Sequence, residues 1–242
     1  MFIRFKVDFL KTIILAGGLG TRFSEETEHR PKPMILIDHR PIIWHIMDIY
    51  ASQGYSDFVI ATGYKSEVIE EWIETLTDKW NIVAVNTGLN TQTGGRIKKC
   101  IESLNDENFF VTYGDGLGNI NLKELEKFHL TRSATVTATA VRPPARFGYM
   151  DIDDGLVVRF GEKNQLDEGW INGGFFMVNR SIVDYIFDDK EPFETGALPR
   201  LTSEGKFHAF QHEGFWFPMD TRSEQQTLKR FSENFPPPWK EF

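Results

Sequence analysis

The sequence predicts an α/β fold: one mixed, mostly parallel sheet with helices on both faces and an antiparallel β extension. From Lys11 to Leu130, short apolar runs that end in Gly or polar turns alternate with stretches whose apolar residues recur at helical spacing. That alternation is the pattern of successive βα units. From Ala134 onward the pattern changes to closely spaced strand-like segments, with a hairpin signal at Asp153-Asp154-Gly155. Such segments add antiparallel strands to the sheet.

The elements follow in order. Lys11–Ala16 is a short apolar run stopped by Gly17-Gly18, as expected of a buried strand feeding a loop, here Gly17–Arg22. Pro41 opens a helix with Ile42, Ile46, Ile49 and Tyr50 on one side, and Gly54 is its stop. Asp57–Thr62 is a second strand, and Ser66–Leu76 a second helix with Val68, Ile69, Trp72, Ile73 and Leu76 on its apolar face. Asn81–Val85 and Phe109–Tyr113 are strands, the latter ending at Gly114-Asp115-Gly116, and Asn121–Leu130 is a capped helix. Thr135–Val141 alternates Thr with apolar residues; Met150–Ile152 and Leu156–Phe160 flank the hairpin turn; Ile171–Asn179 and Phe207–Gln211 are further strands. Linkers, repeats and low-complexity segments are absent from this pattern. Residues 1–10 read as an N-terminal extension and residues 11–242 as a single domain, with Pro236-Pro237-Pro238 stiffening the tail.

Composition narrows the function classes. Hydrophobic residues make up 40% and charged residues 26% of the 242, which is ordinary for a globular protein. A net charge of −8 argues against a nucleic-acid partner, because that binding needs many Lys and Arg against backbone phosphates. One cysteine, Cys100, excludes an internal disulfide and fits a reducing compartment, where it reads as a packed thiol. Met1–Leu10 carries Arg4, Lys6 and Asp8 and so lacks the apolar core of a signal peptide, and no stretch approaches the roughly 20 apolar residues of a membrane helix. The expectation is a cytoplasmic protein without a membrane partner.

The chemistry is concentrated in Leu15-Ala16-Gly17-Gly18-Leu19-Gly20-Thr21-Arg22, with Lys32 between two prolines shortly after it. Three glycines let a backbone turn tightly and present N–H groups to phosphate oxygens, and Arg22 and Lys32 add positive charge. The loop is not a P-loop, since no Gly-Lys-Ser/Thr follows, and Phe23 stands where the dinucleotide fingerprint needs its third small residue. Asp115 follows directly on a strand, where open α/β sheets collect ligands, and Asp220 leaves the aromatic segment Phe215–Met219. Two such carboxylates can share one Mg²⁺, which takes one or two protein carboxylates plus phosphate and water. His208 and His212 are four apart, but the segment F-H-A-F-Q-H reads as a strand, so they offer no helical metal pair. Neither a nucleophile elbow nor another context for covalent catalysis is present.

Together these segments resemble the sugar-phosphate nucleotidyltransferase family from about Lys11 to Trp239. LAGGLGTR, PKP and Tyr113-Gly114-Asp115 are its general marks. SEET (Ser24–Thr27), WHIM (Trp44–Met47), GYK (Gly63–Lys65), TGGRIK (Thr93–Lys98), RFG (Arg146–Gly148), WINGGFF (Trp170–Phe176), GFW and PMDT (ending at Thr221) resemble its cytidylyl-transferring branch. The resemblance implies a Rossmann-like nucleotidyltransferase fold and transfer of a cytidylyl group from CTP to a sugar 1-phosphate, glucose 1-phosphate first among them, with pyrophosphate released. It implies that Leu15, Ala16, Gly17, Gly18, Leu19, Gly20, Thr21 and Arg22 line the nucleotide and its triphosphate, with Thr91, Arg96 and Gly114 also on the nucleotide. Lys32 would face the α-phosphate; Asp115 and Asp220 would hold Mg²⁺, with Arg22, Lys32 and Asp115 carrying the chemistry. Gly148, Glu162, Lys163 and Asn172 would form the sugar-phosphate pocket, with Trp170 as a wall.

Two departures stand out. Gly161 and Asn164 replace the Gln and Pro that flank the family's Glu-Lys pair, and the segment between Trp72 and Thr87 is shorter than in the branch. Oligomeric form, including a homo-oligomer, and base selectivity stay open on that account. The alternatives are the same chemistry with another NTP or phosphorylated acceptor, or a silent relative that binds nucleotide-sugar.

Overall fold

The computed structural model describes residues 10–76, 79–144, 148–153, 155–162 and 169–241, so the N-terminal extension falls almost wholly outside the described residues. β1 (Thr12–Leu15) ends on the glycine loop, followed by a 3-10 turn (Thr21–Phe23) and the single turn α1 (Ser24–Thr27). Lys32–Met34 makes a second 3-10 turn, and β2 (Leu36–Ile37) and β3 (Arg40–Pro41) form a small ribbon leading into α2 (Ile42–Ser52). Pro41 stands immediately before α2 with φ −65°, already set for helix entry. Gly54, at φ +100°, closes it, its N–H bonding Ala51 O at 3.0 Å while Tyr55 N–H bonds Tyr50 O at 3.1 Å.

β4 (Asp57–Thr62), α3 (Ser66–Glu74) and β5 (Asn81–Asn86) continue the alternation, then α4 (Thr93–Ile101), β6 (Asn108–Tyr113), the short β7 (Gly116–Gly118) and α5 (Leu122–Arg132). Asn121 caps α5, its side chain accepting from Glu124 N–H. The second half supplies β8 (Val136–Val141), β9 (Gly148–Asp153), β10 (Leu156–Glu162), β11 (Ile171–Asn179), α6 (Ala197–Ser203), β12 (Phe207–His212), β13 (Trp216–Pro218) and α7 (Arg222–Ser232). The strand reading of His208 and His212 holds.

The main sheet has seven strands in the order β12-β8-β11-β6-β1-β4-β5. β1 pairs parallel with β4 and β6, β4 with β5, and β8 with β12; β11 alone runs against its neighbours β6 and β8. The expected mixed, mostly parallel sheet is therefore present, with its antiparallel character in β11 and in the separate β9–β10 and β7–β13 ribbons. Side chains alternate across it. Ile14, Phe58, Ile60, Phe110, Phe175 and Met177 face a core shared with α2, α5 and α7, while Ile13, Val59, Val111, Phe176 and Val178 face one shared with α4 and α6. Helices thus cover both faces. Each fully buried Phe or Ile contributes roughly 1.5–3 kcal/mol of transfer free energy to that packing.

The sequence pattern did not announce α4, because Gly94 and Gly95 lower helix propensity at its start. The structure gives the reason for them. A Cβ on Gly94 would stand 2.8 Å from Glu191 O, and one on Gly95 2.6 Å from Asp189 O, so close backbone packing outweighs the propensity loss. α7 was also unannounced; it begins with a full capping box between Thr221 and Glu224. Cys100 on α4 is fully buried, and burial pushes its thiol up to about 12, as fits a packing residue.

Candidate active site

The carboxyl ends of β1, β4, β5 and β6 lie along one edge of the sheet, and β11, running the other way, brings its amino end to the same edge. The functional side chains collect there. β1 hands over to the glycine loop at Leu15, which pairs with Tyr113 on β6, so the loop and Gly114-Asp115 begin side by side. Gly114 N–H bonds Leu15 O at 3.1 Å and locks them together.

Gly17 and Gly20 are required by geometry. A Cβ on Gly17 would fall 2.0 Å from the Arg96 guanidinium, and Gly20 adopts φ +63° with the Thr27 side chain beneath it. Arg96 is 4% exposed and donates to Gly17 O at 2.8 Å, to Thr62 O at 3.0 Å and to Thr87 Oγ1. Its donors thus hold the glycine loop against the ends of β4 and β5. Lys99 supports the adjoining turn, bonding Thr87 O at 3.0 Å and Thr91 Oγ1 at 3.2 Å.

Lys32 reaches in from its 3-10 turn and lies 2.6 Å from Asp115 Oδ2 and 2.7 Å from Asp220 Oδ1. Burial alone would depress its ammonium, but the charges and hydrogen bonds of Asp115 and Asp220 hold it above the usual lysine value. Asp220 is placed by β13, which pairs with β7 just beyond Asp115, and by a bond from Met219 N–H to Asp115 O at 2.8 Å. Two carboxylates therefore converge on one cation. Their oxygen-only donor set suits a hard divalent ion such as Mg²⁺, and it is open enough to leave positions for phosphate and water. Among the described residues no third His, Cys, Asp or Glu groups with these two carboxylates.

Three cavities meet at Asp115. One of about 270 Å³ is lined by Leu15, Ala16, Gly18, Gly20, Thr21, Lys32, Pro33, Gly114 and both aspartates. A neighbour of about 360 Å³ lies between the glycine loop, including Leu19, and Leu89, Thr91, Gln92, Thr93, Arg96 and Tyr113. A small one, about 30 Å³, is bounded by Tyr113, Asn172, Gly173, Gly174, Trp216 and Pro218, with Trp216 Nε1 donating to Gly173 O at 2.8 Å.

Sequence reasoning had singled out most of these positions. The backbone of Arg22 lies in the loop's 3-10 turn, while its side chain is outside the described parts of the chain. Gly148 and Glu162 are cross-strand partners in the β9–β10 ribbon, the Glu162 side chain likewise outside, and Lys163 lies outside the described residues. Trp170 stacks under the Arg142 guanidinium at 4.3 Å. Leu89, Gln92, Thr93 and the Tyr113 side chain were not anticipated. Only the two glycines after Thr93 hinted that a backbone approaches closely there.

The sequence matches the nucleotidyl transferase family over residues 11–222. It is 41% identical over 254 residues to the glucose-1-phosphate cytidylyltransferase of Salmonella typhi, covering 96% of this chain and 99% of that one. That span exceeds this chain's 242 residues, so the alignment includes positions of the relative with no counterpart here. A probable glucose-1-phosphate cytidylyltransferase of Bacillus subtilis is 38% identical over 234 residues, covering 88% of this chain and 92% of its own. Among solved structures, HddC from Yersinia pseudotuberculosis superposes with a TM-score of 0.71 at 27% identity, covering 92% of this chain and 99% of its own. With the seven-stranded sheet, the glycine loop and the paired aspartates at its carboxyl edge, these matches make the chain a member of the nucleotidyl transferase family.

Proposed function

We propose that this chain transfers a cytidylyl group from CTP to a sugar 1-phosphate, glucose 1-phosphate in the first instance, yielding a CDP-sugar and pyrophosphate. One observation carries the reading: Lys32, Asp115 and Asp220 converge within 2.7 Å contacts where the glycine-loop cavities meet. The identity of 41% to a glucose-1-phosphate cytidylyltransferase supports the choice of substrates.

In this reading the triphosphate lies along Gly17–Thr21, and the base occupies the cavity bounded by Leu89, Thr91 and Gln92. Arg96 acts from behind by fixing the Gly17 carbonyl, which sets the path of the loop. A phosphate oxygen of the sugar 1-phosphate attacks the α-phosphorus in line; the new P–O bond forms as the bond to the β-phosphate oxygen breaks, and pyrophosphate leaves. The attacking oxygen is already ionised near neutral pH, so no general base is needed. The chain's part is positioning and charge stabilisation, which can together supply many kcal/mol. Lys32 turns its ammonium to the α-phosphate, and Arg22 adds charge from the loop. Asp115 and Asp220 would hold Mg²⁺, which supplies Lewis-acid polarisation of phosphate oxygens. Gly148, Glu162, Lys163 and Asn172 form the acceptor side, Lys163 meeting the sugar phosphate. A cytoplasmic location fits these substrates, and no described helix is long and apolar enough to cross a membrane.

The test is pyrophosphate release with glucose 1-phosphate and Mg²⁺, comparing CTP, UTP, dTTP and GTP, with product mass determined. CTP should be preferred and CDP-glucose formed. Preference for another NTP would move the base assignment, and silence with all four would overturn glucose 1-phosphate as the acceptor and move the assay to other phosphorylated acceptors.

A further inference from the structure

Glu194 lies in the chain leading to α6, in none of the segments marked out above, yet its carboxylate joins three pieces of the site. Oε1 accepts from Tyr113 OH, and Oε2 accepts from Thr93 Oγ1 at 2.8 Å. Tyr113 immediately precedes Gly114-Asp115, and Thr93 is the first residue of α4. Tyr113 OH in turn accepts from Asn172 Nδ2 at 3.1 Å, and Asn172 Oδ1 accepts from Gly174 N–H at 2.9 Å.

Every polarity in this relay is forced. A backbone N–H can only donate, so Gly174 fixes the oxygen end of the Asn172 amide and leaves Nδ2 toward Tyr113. Tyr113 must then accept from Asn172 and donate its own proton, and Glu194 is the acceptor that takes it. Packing holds the ring as well: Tyr113 meets Phe176 edge-on at 5.6 Å, and a Cβ on Gly174 would fall 2.4 Å from the tyrosine ring. Asn172 itself is exposed and lines the small cavity beside Asp115, and the described residues engage one of its N–H groups and one of its lone pairs.

We infer that Glu194 is a positioning residue for the acceptor sugar: acting through Tyr113, it sets which end of the Asn172 amide faces that sugar. The inference rests on the reading that Asn172 belongs to the acceptor pocket. It concerns the hydrogen-bond acceptor that Glu194 offers, so a neutral acceptor of the same shape should suffice.

Glu194→Ala should raise the KM for glucose 1-phosphate about tenfold, a usual cost for a misplaced substrate contact, while the KM for CTP and kcat stay within about threefold. Glu194→Gln, whose amide oxygen can still accept from Tyr113, should recover most of the loss. Tyr113→Phe should match Glu194→Ala, and the double variant should be no worse than either, because they break one relay. Equal loss on both substrates, or additive effects of the two substitutions, would overturn the inference. A readout without turnover keeps it separate from the proposed reaction. The Asn172 side-chain amide resonances, identified by their loss in Asn172→Ala, should shift in Glu194→Ala and Tyr113→Phe and stay near wild type in Glu194→Gln. Unmoved resonances would refute the relay even in a fully active enzyme, whereas a shift in a protein inactive with every NTP would uphold the relay and reject only the substrates.

Discussion

On the glycine-loop side of Asp115, the wall of the site is mostly backbone: Gly17 and Gly20 come close because they lack side chains, and Arg96 clamps Gly17 from behind. Across the sheet, on the β11 side, the wall is built of side chains, with Tyr113 and Asn172 held in a defined order. A backbone wall reads what nucleotides share, namely phosphates. A wall of side chains can be changed residue by residue, and it suits the substrate that varies.

Four measurements would break or sharpen that contrast. The largest effect belongs to the place where both walls meet. Asp115→Asn or Asp220→Asn should lower kcat about a thousandfold, the scale of losing a charge-stabilising group, and should weaken Mn²⁺ binding followed by paramagnetic resonance while leaving the melting curve intact. Near-wild-type rates would remove the metal pair.

Next comes the clamp. Arg96→Met leaves the carbonyls of Gly17 and Thr62 buried without this donor, at a cost of about 2–4 kcal/mol in urea unfolding. The KM for CTP should rise while that for glucose 1-phosphate holds; equal rises would mean that the two walls are not separate.

A third perturbation touches neither wall. Burial holds the buried histidines His45 and His129 down to about 4 in the folded chain, against about 6.5 when unfolded. Between those values the unfolded state takes up protons that the folded state refuses, so stability present at pH 7 is lost as pH falls from about 6.5 to about 4. The loss is on the order of 3 kcal/mol for His45, and His45→Gln should flatten the profile of unfolding free energy against pH. A profile already flat in the wild type would contradict this burial effect.

The smallest effect is Asn172→Ala, which should raise the KM for glucose 1-phosphate about tenfold, or about 1.4 kcal/mol, with the KM for CTP unchanged. A rise confined to CTP would exchange the assignments of the two walls.

What the sequence made legible follows from range. β1, β4 and β6 declare themselves through local apolar runs, and α2 through Pro41, its spacing and Gly54, because those signals are close together in the chain. Asp115 and Asp220 could be picked out singly, each leaving a strand, and only the fold brings both to Lys32. The resemblance puts Arg96 at the nucleotide, and it lines the cavity; its bonds to Gly17, Thr62 and Thr87 add a service to the loop that no spacing could disclose. Glu194 was invisible for the same reason, since Tyr113 and Thr93 lie 81 and 101 positions away.

β11 runs against every neighbour, and this orientation has a bearing on how such enzymes diversify. Had it run with the others, residue 172 would stand at the far edge of the sheet. As built, the stretch that opens β11, Ile171 and Asn172, lies at the edge of the sheet that carries Asp115. Insertions, deletions or exchanges in that one stretch can therefore remodel one substrate's pocket while the strands carrying the glycine loop and Asp115 keep their register. On the proposed reading, the reversed strand makes the acceptor pocket a replaceable module on a fixed nucleotide-handling frame.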